Sequence, residues 1–222
     1  MIKVVIFDLY GTIMTSEEGS EPKDEALSRI LRDAGHDVYF QEVWSARQLV
    51  AFIDYPRGRA DTPSEYYARV LERLEISPDP RLIDELVNKD AELEKNLLYP
   101  DVAPTVNALK TKGIKTAIVT TIARWRFEPL LRQNNVEIDF LCTAKEAKAV
   151  KPNPKIYSAV LTKFGVKAEE AIMVGDDPKT DIVPAKKLGI KTTLLNREEK
   201  RECAEADCVI SSLIQLLDLV KQ

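Results

Sequence analysis

The chain has 222 residues, 45% hydrophobic and 31% charged, with a formal net charge of −4. It is long enough to bury a core without disulfides or a structural metal, and its mild acidity excludes the basic footprint that nucleic acid or an anionic membrane requires. The three cysteines, Cys142, Cys203 and Cys208, follow no zinc spacing and read as reduced thiols of a cytoplasmic protein, while the single histidine, His36, sits after Gly35 in an expected surface loop, which excludes a catalytic histidine elsewhere.

The first apolar run, in MIKVVIFDLYG, is too short for a signal peptide and is cut by Asp8. No run of about 18 apolar residues follows, so no membrane span is expected. The β-branched stretch Lys3–Leu9 predicts a buried strand. From Ser16 to Leu98 the periods are helical: Lys23–Ala34, Gln41–Ile53, Ser64–Leu74 and Arg81–Asn96, the last rich in Glu/Lys pairs. This segment reads as an inserted all-α lobe, residues 16–98, with hinges at Thr15–Pro22 and Leu98–Pro104.

After the insertion, strands alternate with helices. Strands are expected at Lys115–Thr120, Phe140–Thr143, Ala171–Gly175, Lys191–Leu195 and Cys208–Ile210. Helices are expected at Pro104–Lys112, Ala123–Asn134, Pro154–Phe164, Asp181–Leu188 and Leu213–Val220, several ending near a glycine. The alternation implies an α/β core with a mainly parallel sheet covered on both faces, built from residues 1–15 and 99–222.

In open α/β sheets ligands bind beyond the carboxyl ends of the strands. There the sequence sets Asp8, then Thr120-Thr121, then Lys151 ahead of a helix, then Asp176-Asp177 with Asp181 beyond them. Alone, each has a bland reading as a turn, cap or surface residue. Together they make one chemistry. Asp8 can attack a phosphoryl group as a carboxylate nucleophile without a base. Thr120 and Lys151 can bind its oxygens. Asp8, Asp176 and Asp177 can hold Mg²⁺, and Asp181 can orient Lys151 or a metal-bound water. Gly11 lets the chain turn sharply and present amides to the anion.

The chain resembles the haloacid dehalogenase superfamily over its whole length. Asp8-Leu9-Tyr10-Gly11-Thr12 matches the first motif D-x-D-G-[TV] with one departure, Thr120 the second, Lys151-Pro152-Asn153-Pro154 the third, and Gly175-Asp176 through Asp181 the fourth. The resemblance implies a Rossmann-like core, a helical cap over residues 16–98, and a Mg²⁺-dependent phosphatase acting through an aspartyl-phosphate at Asp8. It implies metal contacts from Asp8, the Tyr10 carbonyl, Asp176, Asp177 and Asp181. It places Gly11, Thr12, Thr121 and Arg47 on the substrate, a small phosphorylated molecule; monomer and homodimer both stay open.

Tyr10 is the departure. Family phosphatases carry there the acid that protonates the leaving group, and a phenol with a pKa of about 10 exchanges protons poorly near neutrality. D-x-Y-G-T is the form of the family's 2-haloacid dehalogenases, which release halide without a proton or a metal. Against that reading stand the acidic cluster and Ser45, which occupies the place of the dehalogenases' halide-gripping arginine in Trp44–Leu49; Arg47 is the nearby substitute. The phosphatase reading carries a corollary, a preference for good leaving groups. The alternatives are a 2-haloacid dehalogenase and a weakened phosphate-binding module. Tyr39, Trp44, Arg47, Tyr55, Arg57 and Arg59 are the candidate cap residues facing the cleft.

Overall fold

The computed structural model describes residues 1–17, 21–197 and 202–220. β1 (Val4–Phe7) and β2 (Met14–Ser16) lead into four helices, α1 (Lys23–Asp33), α2 (Phe40–Leu49), α3 (Pro63–Arg73) and α4 (Pro80–Leu93). β3 (Asn96–Leu98) returns the chain to α5 (Val102–Thr111), β4 (Lys115–Thr120), α6 (Glu128–Gln133), β5 (Phe140–Thr143), α7 (Ala144–Ala147) and α8 (Pro154–Phe164). β6 (Ala171–Gly175), α9 (Val183–Lys187), β7 (Lys191–Leu195), β8 (Cys208–Ile210) and α10 (Leu216–Leu219) complete it.

Six strands form one sheet in the order β5-β4-β1-β6-β7-β8, every pair parallel. This is the α/β architecture the alternation implies. Strand residues alternate between two buried faces, as a sheet covered on both sides requires. Val5, Phe7, Ile118 and Val174 pack with Val106 and Leu109 of α5 and Leu216 of α10. Val4, Ile6, Val119 and Met173 pack with Ile156, Tyr157 and Val160 of α8 and Ala185 of α9. β1 lies at the centre, and the chain builds to one side of it (β4, β5) before crossing to the other (β6, β7, β8). The crevice beside β1 is therefore the switch point where ligands bind.

The four helices α1–α4 share a core of their own, with Leu27 and Leu31, Val43, Tyr67 and Leu71, and Leu86 at its centre. α3 begins on a capping box: the Glu65 amide donates to Thr62 Oγ1 at 3.2 Å, and the Thr62 amide to Glu65 Oε2 at 3.1 Å. The lobe core also buries Ala123, from the loop after β4, and Ala144, the first residue of α7.

Several elements differ from the sequence expectation. The last lobe helix ends at Leu93 rather than Asn96, because Glu94 turns extended and Asn96–Leu98 pairs antiparallel with Met14–Ser16. A strand thus stands where only helix was expected, and the two linkers of the lobe are zipped together. Residues 18–20, in the expected hinge Thr15–Pro22, lie outside the described residues. The helix expected over Ala123–Asn134 splits into a 3₁₀ turn, Arg124–Arg126, and α6, since Phe127 leaves helical geometry just ahead of Pro129. Likewise a wide π turn, Pro178–Ile182, precedes α9, and another, Val50–Asp54, follows α2. Among the described residues no helix is long and apolar enough to cross a membrane.

Candidate active site

Asp8 directly follows β1, whose four residues are all buried. Its amide continues the sheet ladder, donating to the Val174 carbonyl at 2.8 Å. The strand therefore fixes where the carboxylate stands, at the carboxyl edge between β4 and β6. Beyond it the chain folds back tightly: the amides of Ile13 and Met14 both donate to the Leu9 carbonyl, at 2.8 and 2.9 Å.

Lys151, in the loop before α8, is ion-paired with Asp8 and, at 2.7 Å, with Asp181. All three side chains are nearly sealed from solvent, at 8%, 13% and 1% exposure. Burial pushes the Lys151 pKa down, but Asp8 and Asp181 outweigh it and hold the ammonium charged above the usual lysine range. Burial raises the Asp8 pKa against the opposing pull of Lys151. Burial likewise lifts Asp181, up to about 6, again opposed by Lys151.

Carboxylate oxygens of Asp8, Asp176 and Asp181 lie within 4.8 Å of one another. Asp8 and Asp181 share the one Lys151 ammonium. Two glycines make this packing possible. A Cβ at Gly11, whose φ is +78°, would stand 2.6 Å from Asp176 Cγ. A Cβ at Gly175 would stand 2.3 Å from Asp181 Oδ2. The aspartates sit where any other residue would intrude.

Thr120 is buried, and its Oγ1 accepts the Ile122 amide at 3.1 Å, leaving the hydroxyl proton to donate. Thr12 is fully buried with its hydroxyl unpartnered, while its carbonyl accepts from Arg197 at 3.0 Å. Asp177, expected among the metal ligands, stands outside the three-carboxylate group. Its carboxylate caps the following turn by accepting the Lys179 amide at 2.8 Å, as an aspartate two residues ahead readily does. Its own amide donates to Asp181 Oδ2 at 3.1 Å.

Next to this group lies a cavity of about 240 Å³ between the lobe and the sheet, with Tyr10, Thr121, Arg47, Tyr55, Glu94 and Arg126 in its wall. The Tyr10 hydroxyl points to the lobe linker, donating to Asn96 Oδ1 at 3.1 Å and lying 3.5 Å from Glu94 Oε1. Burial and the Glu94 charge push its pKa up to about 12. Of the candidate cap residues, Arg47 and Tyr55 reach this cavity. Arg57 lines a separate groove with Lys145 and Lys148. Tyr39 and Trp44 are more than half exposed and do not line the cavity. Lys23, Glu94 and Arg126 were missed in the sequence. Lone charges on helices carry no signal there, and they meet only through tertiary packing.

A central strand ending on a buried carboxylate, with a hydroxyl, a lysine and paired aspartates at the neighbouring strand ends, defines a hydrolase core of the haloacid dehalogenase type. Residues 2–189 match the family model described as haloacid dehalogenase-like hydrolase, and the chain belongs to that family. It is 28% identical to the glyceraldehyde 3-phosphate phosphatase of Methanocaldococcus jannaschii, across 100% of this chain and 98% of that one. It is similar in structure to a 2-haloacid dehalogenase from Pseudomonas syringae (TM-score 0.71, 26% identity, 100% and 99% of the two chains). A phosphatase of the family from Thermococcus onnurineus is also similar (TM-score 0.67, 25% identity, 99% and 98% of the chains).

Proposed function

We propose that the protein is a Mg²⁺-dependent phosphatase that transfers the phosphoryl group of a small substrate to Asp8 and releases it to water. The observation that carries this reading is the cluster of Asp8, Asp176 and Asp181 carboxylates, with Lys151 paired to Asp8 and Asp181. An anionic substrate facing a carboxylate cluster is costly without a cation beside it. The donor set fits Mg²⁺, since hard oxygens are what that ion takes and Gly11 clears the space beside Asp176. Asp8 and Asp176 would hold the ion, with Asp181 and the Tyr10 carbonyl alongside. When bound, it supplies charge against phosphoryl oxygens. Relatives named as phosphatases support the same reading.

Asp8 attacks phosphorus, the P–O bond to the leaving group breaks, and an aspartyl-phosphate forms. Lys151 holds the Asp8 carboxylate in place with one proton and Asp181 with another, and has a third for the phosphoryl group. Thr120 donates its hydroxyl to a second phosphoryl oxygen. The lobe, residues 16–98, acts as a cap over the core of residues 1–15 and 99–222, and excludes water while phosphorus transfers. Arg47 faces the substrate from the cap.

The test is phosphate release from p-nitrophenyl phosphate with Mg²⁺ and with EDTA, beside Asp8→Asn. Metal-dependent turnover that falls at least about a thousandfold in the variant is expected. Turnover that survives EDTA, or Asp8→Asn at the wild-type rate, would sink the reading. Tyr10 favours a second reading, 2-haloacid dehalogenase; chloride release from 2-chloropropionate without metal would establish it.

A further inference from the structure

The charged lining of the 240 Å³ cavity is lopsided. Lys23 of α1, Arg47 of α2 and Arg126 of the turn after β4 face it, against Glu94 alone. The other carboxylates that balance these cations are not in its wall. Arg47 is ion-paired with Asp24, while Lys23 and Arg126 reach Asp90 at 2.6 and 2.9 Å. Arg126 also pairs with Glu94 at 2.5 Å and stacks on Trp125, 4.2 Å from the ring centroid. Its guanidinium is thereby held rigid. Arg47 and Arg126 are 14% and 10% exposed.

The cavity adjoins Tyr10 and Thr121, each next to a residue of the reacting site. Its volume is enough for a phosphate- or acetate-sized group. In family phosphatases the leaving group takes a proton from the residue at Tyr10, and here that phenol is tied to the linker.

We infer that this cavity receives the leaving group and that the leaving group is itself an anion, stabilised by Arg47, Arg126 and Lys23 in place of a proton. The substrate class is then a phosphoanhydride or an acyl phosphate. This rests on the phosphatase reading above. The step balances without an acid. The Asp8 O–P bond forms as the bridging O–P bond breaks, and the bridging oxygen keeps the electron pair as part of a departing phosphate or carboxylate. Water then forms a new O–P bond as the Asp8 O–P bond breaks, and its proton leaves on inorganic phosphate. Preorganised cations aimed at developing charge do what the missing acid would do.

The experiment measures kcat/KM of the full chain with Mg²⁺ for pyrophosphate, acetyl phosphate, ethyl phosphate and p-nitrophenyl phosphate. Pyrophosphate or acetyl phosphate is expected to exceed ethyl phosphate by at least about a hundredfold, the usual worth of the absent acid. The two anionic leaving groups, one phosphate and one carboxylate, separate the two substrate sources. In Arg47→Gln the ratio of the preferred substrate to ethyl phosphate is expected to fall at least about tenfold. Arg47→Lys, which restores the charge beside Asp24, recovers most of it. A misfolded variant lowers all rates together and shows in its thermal melt. A wild-type ratio near one overturns the inference, as does an unchanged ratio in a folded Arg47→Gln. Turnover of p-nitrophenyl phosphate without preference sinks this inference alone, whereas no turnover of any phosphate sinks the phosphatase reading with it.

Discussion

Tyr10 sits at the first-motif position of the acid, yet its hydroxyl joins the linker residue Asn96 to the sheet. With its pKa pushed up to about 12, the phenol stays protonated across the physiological range and gives no base. Its role is then positional, and Tyr10→Phe tests it. The variant is expected to lose ~1 kcal/mol of stability, one net hydrogen bond, and less than about fivefold in turnover. Thermal melts and steady-state rates measure both; a hundredfold loss in a folded variant would make the hydroxyl a reacting group. Gly11→Ala is expected to reach the site itself. It costs roughly 2 kcal/mol or more through its positive φ and drives a methyl into Asp176, so the Mg²⁺ concentration for half-maximal rate rises. A titration with the metal checks it. Asp8, Thr120 and Lys151 were visible in the sequence because each follows or precedes a strong periodic element. Asp177 also caps the turn that follows it by accepting the Lys179 amide, a local role its Asp-Asp-Pro setting already offered.

At the scale of elements, the five later strands stand where β-branched runs place them, because buried parallel strands have no other pattern to follow. β2 and β3 escaped because three residues cannot display a period. Their pairing, Met14 with Leu98 and Ser16 with Asn96, arises from two linkers brought together by the inserted helices. The charged face of α4 was equally opaque. It read as Glu/Lys pairing, yet Asp90 is buried at 2% exposure among Arg126 and Lys23. Burial raises the Asp90 pKa, but Arg126 and then Lys23 outweigh it and bring it to about 2. A depressed carboxylate pKa contributes stability that is fully present above its unfolded value, 3.8, and is lost as pH falls toward about 2. The shift corresponds to roughly 2 kcal/mol. Asp90→Asn is therefore expected to be destabilised by roughly 3 kcal/mol at pH 7, where two cations lose their partner. The gap should narrow between about pH 4 and 2. Urea unfolding of both proteins at pH 7, 4 and 2.5 measures it, and a gap constant with pH would show that Asp90 titrates as in the unfolded chain.

Across the whole molecule, the run of four helices between β2 and β3 was legible as a break in strand–helix alternation, but the way these helices are seated was not. Seating depends on residues distant in sequence. The Tyr55 hydroxyl lies 2.6 Å from Thr143 Oγ1 and accepts the Arg124 amide at 3.2 Å. Lys145 is ion-paired with Asp61, and Trp125 meets Tyr66 edge-on at 5.9 Å between ring centroids. Ala123, after β4, and Ala144, opening α7, complete the lobe's apolar core. A lobe that borrows core from the sheet loses it on detachment, so the two parts are expected to unfold as one cooperative unit. The two tryptophans make this measurable. Trp44 is 54% exposed on α2, whereas Trp125 packs at the junction. In Trp44→Phe the fluorescence reports Trp125 alone. Its denaturant midpoint should coincide with that of far-UV circular dichroism, which follows the helices and the sheet together. An earlier Trp125 transition would mean that the lobe separates while the sheet stays folded, and that the ion pairs of Arg126 with Asp90 and Glu94 hold it shut only weakly.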